Sequence, residues 1–109
     1  MTADSHRWVR VAALSELSDP ALSVVTVEGE DILLARMGDS VYAVGNECTH
    51  EWIWLDDGIL HQESCEIECP MHEGRFDLRT GQATHEPCEV PLPSYPVRLD
   101  GDDVLVRVA

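Results

Sequence analysis

The sequence has no long hydrophobic run, and this shortage restricts where the protein can be. No stretch of about 18 consecutive apolar residues occurs, so the sequence predicts no transmembrane helix. The first residues, MTADSHRWVRV, lack the basic segment and the apolar segment of a secretory signal peptide. We therefore expect a cytoplasmic protein with no membrane partner.

Basic residues are also scarce. Lys and Arg number 7 against 21 Asp and Glu, which gives a formal net charge of −14. Such a charge repels a phosphate backbone, so we expect no nucleic-acid partner. The acidity either attracts a basic protein surface or only keeps a small protein soluble, and the sequence leaves both open.

Signatures of catalysis are missing as well. The sequence has no recognisable nucleophile with its base, no flavin or nicotinamide fingerprint and no facial triad for a mononuclear iron. We therefore do not expect an enzyme. The four cysteines of a cytoplasmic chain are expected to be metal ligands or free thiols instead of disulfides.

The outer parts of the chain carry the pattern of short β-strands. Residues 7–14, 22–28, 31–37 and 40–45 are rich in β-branched residues, and the breaks EGED and GDS suit hairpins. Near the C-terminus apolar residues alternate on either side of an Asp-Gly turn. No amphipathic helix is predicted, because Ser18, Asp19 and Pro20 favour a turn. We expect one all-β domain over 1–109, with residues 1–45 and 95–109 as its scaffold.

Residues 46–94 differ from this scaffold. They hold all four cysteines and four of the five histidines, and their hydrophobic pattern is irregular. Small irregular segments often need a metal to become ordered. We therefore expect 46–94 to be a metal-binding subdomain inserted between the scaffold strands.

Two Cys-His pairs lie in this subdomain, Cys48 with His50 and Cys69 with His72. Two thiolates and two imidazoles could bind zinc, but zinc fingers usually group Cys with Cys and His with His. Here each loop carries one Cys and one His. This arrangement suits a [2Fe–2S] cluster in which two His replace two Cys on one iron.

The stretches around these pairs resemble a known family. They are CTH at 48–50, LDDG at 55–58, CPMHEGRFDLRTG at 69–81 and PLPSYPVRLDGDDVLV at 91–106. The chain resembles the Rieske [2Fe–2S] proteins, most closely the Rieske-type ferredoxins of bacterial aromatic-ring-hydroxylating dioxygenase systems. The likeness is weakest over the first 20 residues. The stretch HQESCEIE before Cys69 is longer than in similar ferredoxins, which is expected to enlarge a hairpin.

The resemblance implies the Rieske fold, an antiparallel β sandwich with an inserted cluster-binding subdomain. It implies one cluster per chain, with the inner iron held by Cys48 and Cys69 and the outer iron by His50 and His72. It also implies a monomeric one-electron carrier in aromatic hydrocarbon catabolism. Such a carrier takes electrons from an NAD(P)H-dependent flavoprotein reductase and passes them to a terminal oxygenase.

The resemblance also bears on the reduction potential. High-potential Rieske proteins of bc-type complexes have a bracing Cys at the positions of Ile53 and Met71, and hydrogen-bonding Ser and Tyr at the positions of Gly74 and Phe76. Neither Gly nor Phe can donate from its side chain. Fewer hydrogen bonds to the cluster lower its potential, so we expect a value near the lower end of the Rieske range, about −150 mV.

The tryptophans beside His50 are candidates for docking. If the loop after His50 is extended, Trp52 and Trp54 share its outer face, opposite to Ile53 and Leu55. We expect partners to dock at the edge formed by His50 and His72, with Trp52 and Trp54 in the surface. The alternative is that the rings fold inward and shield the cluster.

The remaining Cys and His residues have structural explanations. Cys65 is expected to be a free thiol on the strand SCEIEC, and Cys88 a small buried side chain. Pro70, Gly74 and Gly81 are expected to shape the backbone. The other histidines are expected on the surface or in turns: His6, His61 and His85.

Two alternative functions stay open at this point. The small subunits of assimilatory NAD(P)H nitrite reductases are Rieske proteins of similar length. A structural zinc-binding module would use the same four ligands.

Overall fold

Short antiparallel strands dominate the structure. The computed structural model describes residues 7–48, 53–71, 73–86, 88 and 90–108. Within these ranges it contains eleven strands: β1 (Arg7–Ala13), β2 (Ala21–Val27), β3 (Glu30–Met37), β4 (Ser40–Gly45), β5 (Ile59–His61), β6 (Glu66–Glu68), β7 (Arg75–Asp77), β8 (Ala83–His85), β9 (Ser94–Tyr95), β10 (Val97–Asp100) and β11 (Asp103–Val108). Two 3-10 helices of one turn each are also present. Leu14–Glu16 follows β1, and Leu55–Asp57 precedes β5. The predicted all-β fold is confirmed.

The described part of the chain has no helix that is long and apolar enough to cross a membrane. The segment around Ser18 to Pro20, for which the sequence favours a turn, is irregular and leads directly into β2.

The strands form three antiparallel sheets. The first has the order β1-β11-β10, the second β2-β3-β4-β9 and the third β5-β6-β7-β8. The first two sheets use strands from both ends of the chain, and the third is formed entirely by the segment between β4 and β9. The chain therefore enters and leaves the third sheet through neighbouring strands, since β4 pairs with β9.

β3, an inner strand of the second sheet, is buried on both faces. On β3, Ile32 and Leu34 belong to a core with Val104 and Val106 of the first sheet. Leu33, next along the strand, belongs to a second core that includes residues of the third sheet. Successive side chains of a strand point to opposite faces, so a strand covered on both sides needs apolar residues at consecutive positions. This explains the continuous apolar run ILLA at residues 32–35 of β3.

Tight hairpins join β2 to β3 and β3 to β4, at the two predicted breaks. Val27 pairs with Glu30, which leaves Glu28 and Gly29 as a two-residue loop. Their φ angles are 53° and 86°. Positive φ at both positions is typical of a type I′ turn, whose twist matches that of the flanking strands. The hairpin prediction is confirmed.

The core of the first two sheets sets a testable expectation. Leu34 is 1% exposed, whereas Leu99 on β10 is 37% exposed. We expect Leu34→Ala to lower the free energy of unfolding by about 2 to 5 kcal/mol, because it removes buried methyl groups and leaves a cavity. Urea denaturation followed by circular dichroism measures this loss. The matched control Leu99→Ala should lower the free energy of unfolding much less. An equal decrease in the two variants would contradict the described core.

Candidate metal centre

Cys48 lies at the base of a short hairpin that follows β4. Its backbone N–H donates to the carbonyl of Ile53 at 2.8 Å, and Glu47 pairs with Trp54 in an antiparallel bridge. The tip between Cys48 and Ile53 is residues 49–52, which include the predicted ligand His50 and lie outside the described residues. The hairpin fixes the backbone on either side of that tip.

Asn46 fastens this first hairpin to the body of the protein. It is 3% exposed, and its carbonyl accepts a hydrogen bond from the Leu55 N–H at 2.7 Å. Its side-chain Oδ1 accepts from the Asp56 N–H, and its Nδ2 donates to Asp56 Oδ1, each at 3.0 Å. The role of Asn46 was not predicted from the sequence. A signal existed, because Asn side chains readily hydrogen-bond to backbone groups in loops.

Cys69 lies at the base of a second hairpin, between β6 and β7. Its N–H donates to the carbonyl of Gly74 at 2.8 Å. The enclosed tip, residues 70–73, includes His72, which lies outside the described residues. Glu73 has φ of 60°, which turns the chain back toward β7.

The two hairpins therefore share one geometry. In each, a cysteine N–H donates to the carbonyl five residues later, across a four-residue tip that contains a histidine. The thiols are buried, with Cys48 3% and Cys69 1% exposed. The structure thus buries both sulfurs in one core. Ligation by His50 and His72 stays a prediction.

An apolar wall surrounds the two cysteines. Leu55, which was predicted to pack inward, is 0% exposed and lies in this core, whereas Trp54 beside it is 50% exposed. Both orientations agree with the alternation expected of the loop after His50. The core further contains side chains from the third sheet and from the segment before β9: Ile67, Phe76, Leu78, Cys88 and Leu92.

Two glycines allow close backbone approaches around the hairpins. A Cβ on Gly58, in the stretch LDDG, would lie 2.0 Å from the Glu68 carbonyl oxygen. A Cβ on Gly81, whose φ is 83°, would lie 2.2 Å from the Leu92 carbonyl oxygen. Both distances are far inside van der Waals contact. The expectation that Gly81 shapes the backbone is therefore confirmed, and Gly58 likewise permits a close backbone approach.

Cys88 is buried, as predicted, but its position was not foreseen. It is 4% exposed, and its Sγ lies 4.0 Å from Cys48 Sγ. Burial, together with the neighbouring Cys48 and then Cys69, raises the pKa of the Cys88 thiol to about 12.

The prediction for Cys65 was wrong in part. Cys65 is a free thiol, but it lies in the turn before β6 with φ of 59°, not on a strand. Burial raises the pKa of this half-buried thiol. The turn belongs to the β5–β6 hairpin, which contains the HQESCEIE stretch that was expected to enlarge a hairpin.

Ionic side chains cross the third sheet and stiffen it. Glu66 is 7% exposed and accepts hydrogen bonds from Ser64 Oγ at 2.8 Å and Arg75 Nη1 at 3.2 Å. A hydrogen bond from Thr84, followed by those from Ser64 and Arg75, holds the pKa of the Glu66 carboxyl at about 2 despite its burial. The His85 Nδ1 lies 3.8 Å from the same carboxylate.

The expectation for His61 needs correction. His61 is half-buried on β5, and its Nε2 lies 2.6 Å from Glu68 Oε1. It is part of a cross-strand pair and not a simple surface or turn residue. His85 is exposed at the end of β8, as expected, and His6 lies outside the described residues.

Comparison with known proteins now decides the family. The model of the Rieske [2Fe-2S] domain matches residues 7–96. The chain belongs to the Rieske [2Fe–2S] family. The Rieske fold, expected from the resemblance, is confirmed. The family binds a [2Fe–2S] cluster, and this chain therefore carries a Rieske-type cluster.

This Rieske protein matches ferredoxins over nearly their full length. It is 38% identical to the ferredoxin component of a naphthalene 1,2-dioxygenase system from Pseudomonas aeruginosa, over 96% of this chain and 99% of that protein. The solved ferredoxin of carbazole 1,9a-dioxygenase from Nocardioides aromaticivorans IC177 is 47% identical, with TM-score 0.88 over 91% and 95% of the two chains.

A third relative is a ferredoxin solved in complex with the oxygenase of carbazole 1,9a-dioxygenase. It is 34% identical, with TM-score 0.82 over 91% of each chain. Small subunits of nitrite reductases share the Rieske fold at 26% and 24% identity.

The residues of this Rieske protein fit such a cluster. Two buried thiols lie at the bases of matching hairpins, and each tip carries one histidine in the sequence. Two Cys and two His are the donor set that Rieske clusters use.

The Glu66 network predicts acid sensitivity. A carboxyl whose pKa is lowered by folding, from 4.5 to about 2 here, stabilises the folded state fully above pH 4.5. That contribution is lost as the pH falls from 4.5 toward 2. We expect Glu66→Gln to lower stability at pH 7 and to weaken the decline of stability between these pH values. Urea denaturation at several pH values measures both, with the exposed Glu63→Gln as control. A decline that is the same in both variants would contradict the role of Glu66.

Proposed function

We propose that this protein is the ferredoxin of an aromatic-ring-hydroxylating dioxygenase system. It carries single electrons from an NAD(P)H-dependent flavoprotein reductase to the terminal oxygenase and catalyses no reaction on the aromatic substrate. The observation that carries the proposal is the burial of Cys48 and Cys69 at the bases of two matching hairpins. The match to a ferredoxin component over 96% of this chain and 99% of that protein supports it.

Cys48 and Cys69 are the proposed sulfur ligands, and His50 and His72 the proposed nitrogen ligands, of one cluster per chain. Residues 46–94 form the cluster-binding subdomain, and residues 1–45 and 95–109 form the scaffold. The topology supports this division, since the third sheet uses only strands from within 46–94.

The cluster supplies one-electron redox chemistry, and the protein sets where the electron can leave. Cys48 and Cys69 are buried behind an apolar core that excludes water. The described residues that flank His72 are exposed, with Met71 at 66%. The histidine side of the site is therefore the proposed exit for electrons, because the described residues Trp54 and Met71 beside the two tips are exposed.

A docking surface for both partners is proposed at these tips. Trp54 and Met71 supply exposed apolar area, and Asp56, Asp57 and Glu73 supply exposed acidic groups. Trp52, which lies outside the described residues, is part of the same proposal. Aromatic residues and Met are enriched in protein interfaces, and acidic groups steer a basic partner surface toward encounter. The net charge of −14 adds to this long-range attraction.

A monomer in the cytoplasm completes the proposal. A diffusing carrier needs its docking surface free for two successive partners, and an NAD(P)H-dependent reductase would share that compartment. The small-subunit role in a nitrite reductase is less supported, because those small subunits are 26% and 24% identical, whereas dioxygenase ferredoxins reach 38% and 47%. A structural zinc module does not agree with membership of the Rieske family.

The histidine ligands can be tested one at a time. We expect His50→Ala and His72→Ala each to abolish the Rieske EPR signal of the dithionite-reduced protein, because one iron loses a nitrogen ligand. Iron and acid-labile sulfide should fall together in these variants. The control His85→Ala removes an exposed imidazole and should keep both the signal and the metal content. A Rieske signal that survives either ligand substitution would refute the assignment.

The docking surface can be tested in a reconstituted chain of NADH, reductase, ferredoxin and terminal oxygenase. We expect Trp54→Ala to raise the KM for the ferredoxin by about tenfold, the effect of an interface residue worth about 1.4 kcal/mol. The EPR spectrum should stay unchanged. Trp8→Ala is the matched control, because Trp8 lies on β1 in the first sheet, under the Arg98 guanidinium.

Trp8→Ala should leave the KM near the wild-type value. Equal KM values for Trp54→Ala and the wild-type protein would remove Trp54 from the docking surface. Supply of electrons to a sirohaem nitrite reductase, and not to an oxygenase, would favour the alternative function.

A further inference from the structure

Cys88 is a third buried thiol at the site, and the proposed ligand set does not use it. It lies 40 residues beyond Cys48 in the sequence, yet the two Sγ atoms are 4.0 Å apart. This separation is within the reach of a hydrogen bond between sulfurs. The backbone N–H of Cys88 donates to the His85 carbonyl at 3.2 Å, which anchors the residue just after β8.

Gly74 makes room for the Cys88 side chain. A Cβ at position 74 would lie 2.3 Å from Cys88 Sγ and 3.2 Å from Cys88 Cβ. The thiol therefore sits directly above the Gly74 backbone, whose carbonyl accepts the hydrogen bond from Cys69. Cys88 thus contacts both hairpins, at Cys48 in the first and at Gly74 in the second.

The direction of the hydrogen bond follows from metal ligation. From the distance alone, either sulfur of the Cys48–Cys88 pair could be the donor. A cysteine that binds a metal does so as a thiolate and has no proton to give. Once Cys48 is a ligand, only Cys88 can donate. Cys88 is buried beside Cys48 and is not a proposed ligand, so its thiol is the available donor.

We propose that Cys88 is a positioning residue whose S–H donates a hydrogen bond to the Cys48 ligand sulfur and raises the reduction potential of the cluster. The inference rests on the proposed ligation by Cys48. A hydrogen bond to a ligand sulfur stabilises the reduced cluster more than the oxidised one, because the reduced cluster carries the extra negative charge. Gly74 and Phe76 have no side-chain donor, so Cys88 partly offsets the low potential expected from them.

The test compares the midpoint potentials of the wild-type holoprotein, Cys88→Ala and Cys88→Ser. We expect Cys88→Ala to lower the equilibrium constant for reduction threefold to tenfold, which is about 30 to 59 mV for one electron. Cys88→Ser keeps a donor of similar size and should restore at least half of this shift. Cys65→Ala and Cys65→Ser are the matched controls and should leave the potential unchanged.

A spectroscopic readout separates a hydrogen bond from a packing effect. Resonance Raman bands of the Fe–S stretches should shift in Cys88→Ala, and part of their sensitivity to deuterium exchange should disappear. That part should return in Cys88→Ser. A loss of packing alone would affect both variants alike and would not track the presence of a donor.

Three results would overturn the inference. One is a midpoint potential of Cys88→Ala that equals that of the control Cys65→Ala. Another is a full shift in Cys88→Ser, which would show that the donor is irrelevant. The last is loss of iron and sulfide from both Cys88 variants, which would make Cys88 a ligand or a structural residue. None of these removes the Rieske EPR signal of the wild-type protein, whose absence would instead refute the proposed function.

Discussion

Two backbone hydrogen bonds determine where the chemistry of this protein can take place. The N–H groups of Cys48 and Cys69 each donate to a carbonyl five residues later, those of Ile53 and Gly74. Each bond closes a tip of four residues and places a thiol at its base, within the core. The proposed ligation by a sulfur and an imidazole of one loop depends on this closure, because a loop of this length has no core of its own. Asn46 supports the first hairpin through Leu55 and Asp56, and the strands β6 and β7 support the second.

The difference between the two sides of the site follows from this arrangement. The sulfur side lies against a shared apolar core, whereas Trp54 and Met71 near the tips are exposed. A carrier needs both properties, since a buried side protects the metal from water and an exposed side lets a partner approach it. The third sheet is formed by one insertion between β4 and β9, so its strands can be stiffened by local ion pairs such as that of Glu66 with Arg75. The scaffold sheets can then keep their own core around Leu34 and Val106.

Regular features of the fold could be predicted from the sequence, and contacts between distant segments could not. The strands β1 to β4 are signalled by β-branched residues and hairpin breaks, and the metal site by two Cys-His pairs. By contrast, the approach of Cys88 to Cys48 depends on how the segment after β8 folds back, and no local pattern encodes it. The turn conformation of Cys65 was missed because the apparent strand SCEIEC includes it, whereas β6 begins one residue later at Glu66. His61 was taken for a surface residue because its partner Glu68 is on the neighbouring strand.

The central claim is that two sulfurs at the buried side and two imidazoles at the exposed side hold one diiron cluster. Pulsed EPR of the reduced protein, prepared with and without ¹⁵N-labelled histidine, measures this most directly because it counts the nitrogen atoms bound to iron. The account predicts two distinct nitrogen couplings, both of which change on labelling. One coupling, or none that responds to the label, would contradict it.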